Sequence, residues 1–95
     1  MIVGICSLKL MIYEVHSLKE KRQVIKSIIG RLQSRYNISI AETDLNDSWQ
    51  TGMIGFACVT NERKHADEII TKVINFIDED SRVEILDTYI EFLNI

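Results

Sequence analysis

Six cations crowd one short stretch of this chain. Lys19, Lys21, Arg22, Lys26, Arg31 and Arg35 fall between Ser17 and Tyr36, in SLKEKRQVIKSIIGRLQSRY. Lysine and arginine at this density bind anions, and the phosphates of a nucleic acid are the anion a helix-long basic face fits best. The contacts expected of it are Lys19, Lys21, Arg22 and Lys26, which would supply affinity without reading sequence. A solvated helix face is the competing account, and the chain as a whole is acidic, with a net charge of −3.

A second group with chemical capacity is Glu42, Asp44, Asp47 and Trp49, three carboxylates and the only tryptophan. Converging carboxylates can hold a metal or work as acid and base. No histidine or cysteine stands at ligand spacing, and no calcium-loop pattern accompanies them, so no metal and no cofactor are expected. Turn capping by Asp and Asn is the ordinary role of such residues. His16 and His65 stand alone, and Cys6 and Cys58 lie in apolar runs without CxxC spacing. The two cysteines read as small core residues of a reducing compartment. The sequence therefore offers no catalytic set, and a non-enzymatic binding module is expected.

The elements that must carry these residues follow from periodicity. Ser17 with Glu20 three residues on fits a capping box, which fixes the start of a helix running to Tyr36. Within it Leu18, Ile25, Ile28, Ile29 and Leu32 form one apolar stripe. Residues 2–13 alternate, with Ile2, Gly4, Cys6, Leu8, Leu10 and Ile12 assigned to the core face of a long strand. Val3, Ile5, Met11 and Tyr13 fall on its other face, unusually apolar for one meeting water. A second strand covers 38–43, a polar loop follows, and a third strand covers 53–60. Thr60 or Asn61 is expected to cap a second helix with Ala66, Ile69, Ile70, Val73, Phe76 and Ile77 inside. Asp78 to Asp80 end it, with their charges solvated. A last strand covers 82–93, and a shift in its apolar set suggests a bulge near Leu86.

Ninety-five residues make one domain. The order strand, helix, strand, strand, helix, strand predicts an α+β, ferredoxin-like split βαβ fold, with a four-stranded sheet and both helices on one face. The first and third strands are expected to lie side by side and parallel at the centre. Gly55, Phe56, Ala57 and Val59 partly echo the stacking motif of RNA-recognition domains. With no basic residue before the glycine and Cys58 at the second stacking position, core packing of Phe56 is favoured.

Charge divides along the chain. Residues 1–36 hold seven Lys or Arg against Glu14 and Glu20, a surplus of five, whereas residues 37–95 hold four against twelve acids, a deficit of eight. A dipolar surface follows. No apolar run approaches the roughly 18 residues a membrane span needs, and no leader pattern opens the chain, so a cytoplasmic protein is expected.

SLKEKR at Ser17–Arg22, NISIAETD at Asn37–Asp44, DSW at Asp47–Trp49 and the NERKHADEII run from Asn61 together resemble the YlxP-like family of small bacterial proteins, at matching spacing over almost the whole chain. The resemblance implies a ferredoxin-like fold. By gene neighbourhood it implies a connection with RNA or the ribosome, and it brings no established activity. The positions it marks are Ser17, Leu18, Lys19, Lys21, Arg22, Glu42, Asp44 and Trp49. The expected partner is structured RNA or a ribosomal particle. The alternative is a homodimer, or another protein, on the open sheet face, with basic helix and Asp78–Asp80 meeting across subunits.

Overall fold

The computed structural model describes residues 1–95. The elements run β1 (Ile2–Ile12), α1 (Leu18–Arg35), β2 (Ser39–Asp44), β3 (Thr51–Thr60), α2 (Arg63–Asp78) and β4 (Val83–Asn94). They form one four-stranded sheet in the order β2-β3-β1-β4. This is the predicted β-α-β-β-α-β arrangement.

The central pair departs from expectation: β1 and β3 are antiparallel, Ile2 facing Thr60 and Met11 facing Thr51. The reason is geometric. A helical crossover returns the chain to run parallel to where it began, so β2 is the strand parallel to β1. The hairpin then reverses direction, and β3 enters between the two.

The core face of β1 is the predicted one, with Cys6, Leu8, Leu10 and Ile12 buried. Ile54, Phe56 and Cys58 extend it on β3, so Phe56 is a core residue. Ile25, Ile28 and Leu32 descend from α1, and Ala66, Ile70, Val73 and Ile77 from α2. Each large aliphatic chain so placed contributes about 2 kcal/mol by leaving water. The sheet's other face carries no helix.

The ends of the helices differ in detail from the sequence reading. Ser17 caps α1, its Oγ accepting from the Glu20 amide at 3.2 Å. The Glu20 carboxylate reaches past the cap and accepts from the His16 amide instead. On α2 the cap is Glu62, which makes no side-chain capping bond. Thr60 lies too early for that role: its Oγ1 accepts from the Glu62 amide at 2.9 Å and donates to the Glu62 carbonyl, closing a turn before the helix. Beyond α2, Asp80 is ion-paired with Arg82 at 2.7 Å, not solvated as expected, while Asp78 and Glu79 are exposed.

Candidate functional site

The stripe that buries α1 includes a cation. Lys21, Ile25, Ile28 and Leu32 stand at spacings of four, three and four, which puts Lys21 on the sheet side of the helix. Its side chain is 0% exposed, and its Nζ lies 2.8 Å from Oε2 of Glu42 on β2. The ammonium donates to the Leu45 carbonyl at 2.7 Å. The approach to Glu42 is charge contact outside hydrogen-bond geometry, because Glu42 Oε2 is buried without an aligned donor. Lys21 is thus unavailable to a phosphate, which corrects the sequence reading. Glu42, grouped by sequence with Asp44, Asp47 and Trp49, is 15% exposed at its side chain and faces inward, away from them.

Gly52 makes room for this pair. A Cβ there would stand 3.3 Å from Lys21 Cε and 3.5 Å from Glu42 Oε2. The β2–β3 connection is organised around the same carbonyl. Leu45 adopts a left-handed backbone, φ 60°, and its carbonyl accepts from the Ser48 amide at 3.1 Å as well as from Lys21. Asp44 Oδ1 accepts from the Leu45 amide at 2.7 Å. A non-glycine residue held in this region costs on the order of 1 kcal/mol, so the bonds from Lys21 and Ser48 hold the loop in place.

The acidic segment therefore does not converge. Glu42 points to Lys21, Asp44 bonds the adjacent amide, Asp47 is exposed, and Trp49 is 39% exposed on the loop. No group of three or more His, Cys, Asp or Glu side chains is placed to hold a metal ion.

The basic face divides too. Arg35 stacks over Phe76 of α2 with its guanidinium carbon 4.8 Å from the ring centre. Arg31 lines a hollow between the helices with Phe76, Glu79, Asp80 and Arg82. Lys19, Arg22 and Lys26 remain, all exposed. The only ion pairs in the chain are Lys21–Glu42 and Asp80–Arg82, so these three are uncompensated. Their spacing of three and four keeps them on one stripe across two turns of α1.

Titration behaviour follows local contacts. The Arg82 guanidinium, hydrogen-bonded to Asp80, holds that carboxyl below its ordinary value, and Asp80 raises Arg82 in return. Burial pushes the Cys6 thiol up to about 11 and raises Cys58 as well. Neither thiol is set up as a nucleophile, since nucleophilic cysteines need the opposite shift.

The open sheet face shows Val3, Ile5 and Met11 half-buried between neighbouring strands, with Val59 63% exposed and Leu93 at the rim. A shallow hollow of about 440 Å³ crosses it over Ser7, Ala41, Gly55 and Ala57. Small side chains make that hollow, and Thr43 closes one end: a Cβ on Gly55 would lie 2.8 Å from Thr43 Cγ2. No helix is long and apolar enough to cross a membrane.

Among solved structures, the chain is similar to a structural-genomics protein named YJCS, with a TM-score of 0.57, 14% identity and 98% of each chain covered. It is also similar to a de novo designed protein with a ferredoxin fold, at a TM-score of 0.51, 20% identity, and 98% of this chain and 84% of that one covered. At such identities the likeness establishes the ferredoxin-like fold. In sequence, the chain is 37% identical over 82 residues to the uncharacterized protein YlxP of Bacillus subtilis (strain 168), covering 86% of this chain and 89% of that protein. The family model described as "Protein of unknown function (DUF503)" matches residues 3–90. The chain belongs to this family, of which YlxP-like proteins are members.

Proposed function

We propose that the protein is a non-enzymatic binding module of the cell interior that engages structured RNA or a ribosomal particle through the outer face of α1. The observation that supports this reading is the stripe of Lys19, Arg22 and Lys26, exposed and without intramolecular counter-charge. Three phosphate contacts give weak, sequence-independent binding whose logarithm falls with the logarithm of salt at a slope of about −2 to −3. The test is sedimentation with ribosomal subunits and anisotropy with total cellular RNA, at about 50 and 150 mM salt, using the native chain and a Lys19→Ala, Arg22→Ala, Lys26→Ala variant. Salt-sensitive binding that the variant loses supports the reading. Absence of binding at both salts, or equal binding by the variant, overturns it.

A second reading has its own observation: the apolar open sheet face, where Val59 and Leu93 are exposed beside Val3 and Ile5. On this account the chain is a homodimer buried on that face. Sedimentation equilibrium on the native chain and on Val59→Lys separates the two readings, because only the second requires a dimer that the substitution dissociates.

A further inference from the structure

We propose that the outer edge of β4 is a docking strand, which takes an extended protein segment of alternating basic and apolar residues as a fifth strand of the sheet. This does not rest on the RNA reading, because that reading uses Lys19, Arg22 and Lys26 of α1 and none of them lies on β4.

β4 is twelve residues long and pairs only with β1, so one of its edges offers free amides and carbonyls along its length. Natural sheets guard such an edge with lysine, proline, an inward charge or a bulge; from Val83 to Ile95 the chain has no Lys, Arg or Pro, and the bulge at Leu86 leaves Asp87–Asn94 as an uninterrupted stretch. The register sorts its side chains in two. Glu84 stands opposite Met11, Asp87 opposite Lys9, and Glu91 opposite Ile5, so all three carboxylates lie on the open face. Ile90 stands opposite Cys6 and Phe92 opposite Gly4, on the helix face. Ile90 is nevertheless 42% exposed, because no element covers the margin of that layer beyond β4.

The acids carry no cation of their own. Tyr13 and Tyr89 donate hydroxyl hydrogen bonds to Glu84 and Glu91, and Asp87 accepts from the Thr88 amide. None is in an ion pair. A strand added here therefore meets Asp87 and Glu91, with Tyr89 and Leu93 between and beyond them, on the open face, and Ile90 with Phe92, whose ring lies under the Arg63 guanidinium at 4.4 Å, on the other. A second β4 is a poor occupant, because antiparallel joining would bring both sets of carboxylates onto one face with only Lys9 nearby. A cationic segment with apolar residues at alternate positions matches both faces, and main-chain bonds to the edge supply the rest.

The experiment uses the native ¹⁵N-labelled chain and three capped synthetic peptides of about ten residues, alternating Lys and Val, Glu and Val, or Lys and Gly. The Lys–Val peptide is expected to shift amides of Glu84–Asn94 and slow their hydrogen exchange. The Glu–Val peptide leaves them unchanged, and Lys–Gly, with equal charge and poor strand formation, binds at least about tenfold more weakly. An Asp87→Lys, Glu91→Lys variant, altered only at exposed positions, is expected to weaken Lys–Val binding by a similar factor. The proposal is overturned if Lys–Val leaves β4 unchanged at about 1 mM, or if Lys–Gly or the variant binds equally well. It is also overturned if the free chain is a dimer with its β4 amides already protected, which would make a second copy the occupant.

Discussion

The two edges of the sheet are finished in opposite ways. β2 is six residues long, bulged where Thr43 is passed over between Glu42 and Asp44, and held from beneath by Lys21. β4 is twice that length, carries its irregularity at Leu86, and has its polar contacts on the surface. Both strands are bulged, but a six-residue strand with a charge at its inner face cannot readily take another strand, whereas β4 runs from Asp87 to Asn94 beyond its bulge without lysine or proline and can. The chain's buried polar interaction thus stands at the closed edge, whereas the open edge carries three carboxylates, Glu84, Asp87 and Glu91, that no ion pair neutralises. Charge was therefore a poor guide to exposure here; the position of each charge in its element decides whether it faces the solvent or holds the fold.

The strongest way to break the contrast is Lys21→Met. Removing one member of a buried pair leaves Glu42 with its charge and no partner, and the Leu45 carbonyl loses a donor. The expected loss is about 3 kcal/mol, the lower end of what broken buried pairs cost, because Glu42 retains 15% exposure. Urea unfolding measures it. Lys21→Met with Glu42→Leu should recover most of that loss, since two well-packed apolar chains often replace an ion pair without penalty. A loss below about 1 kcal/mol in the single variant would show that the pair is not what holds this edge.

Gly55→Ala tests the same edge from the other face. The new methyl would meet Thr43 Cγ2 at 2.8 Å, closer than nonbonded carbons come, so the bulge must move. Overpacking of this kind costs about 1 to 2 kcal/mol. Thr43→Ser removes the clashing methyl, and in the Gly55→Ala background it should restore stability more than it does in the native chain. Equal effects in both backgrounds would mean that the bulge yields without strain.

Much of this was readable beforehand, and the exceptions are instructive. The apolar alternation of β1 and the stripe of α2 located the sheet and its helices, and the shift in β4's apolar set located its bulge, because periodicity is local information. The direction of β3 is a property of the crossover, and periodicity does not carry it. Lys21 was misplaced by residue type. Its spacing to Ile25, Ile28 and Leu32 puts it on the buried stripe, but lysine as a residue type favours water, and its counter-charge lies 21 positions away on β2. Glu42 was misplaced for the same reason, grouped with its sequence neighbours Asp44 and Asp47 when its partner was on another element. Periodicity alone does not single out the carboxylates of β4, because Glu84, Asp87 and Glu91 share a face only when the bulge is counted.

At the approach to β4, Asp80→Asn probes the second ion pair. Asp80 and Arg82 are partly exposed, so the expected loss at neutral pH is about 1 kcal/mol, well below that at Lys21. The sign of its pH dependence is fixed by the lowered pKa of Asp80, whose ordinary value is 3.8. The native chain binds fewer protons at this site than the unfolded chain. Its contribution is complete above that ordinary value and disappears as pH falls through the depressed one. Acid unfolding of the native chain should therefore include a component below about pH 4 that Asp80→Asn lacks.

The smallest effect is expected on β4 itself. Leu86 is the residue its bulge sets aside, 43% exposed, and Lys9 pairs with Asp87 while Leu10 pairs with Ile85. Leu86→Lys removes little buried surface and adds a cation beside Asp87, so stability should change by less than about 0.5 kcal/mol in either direction. The same substitution puts one of the missing guards on the edge strand, where a lysine opposes the approach of a cationic segment. Its thermal midpoint should match the native chain while its affinity for a Lys–Val peptide falls. A large loss of stability would mean that Leu86 is packed in solution and that this edge is closed, which would remove the difference between the two sides of the sheet.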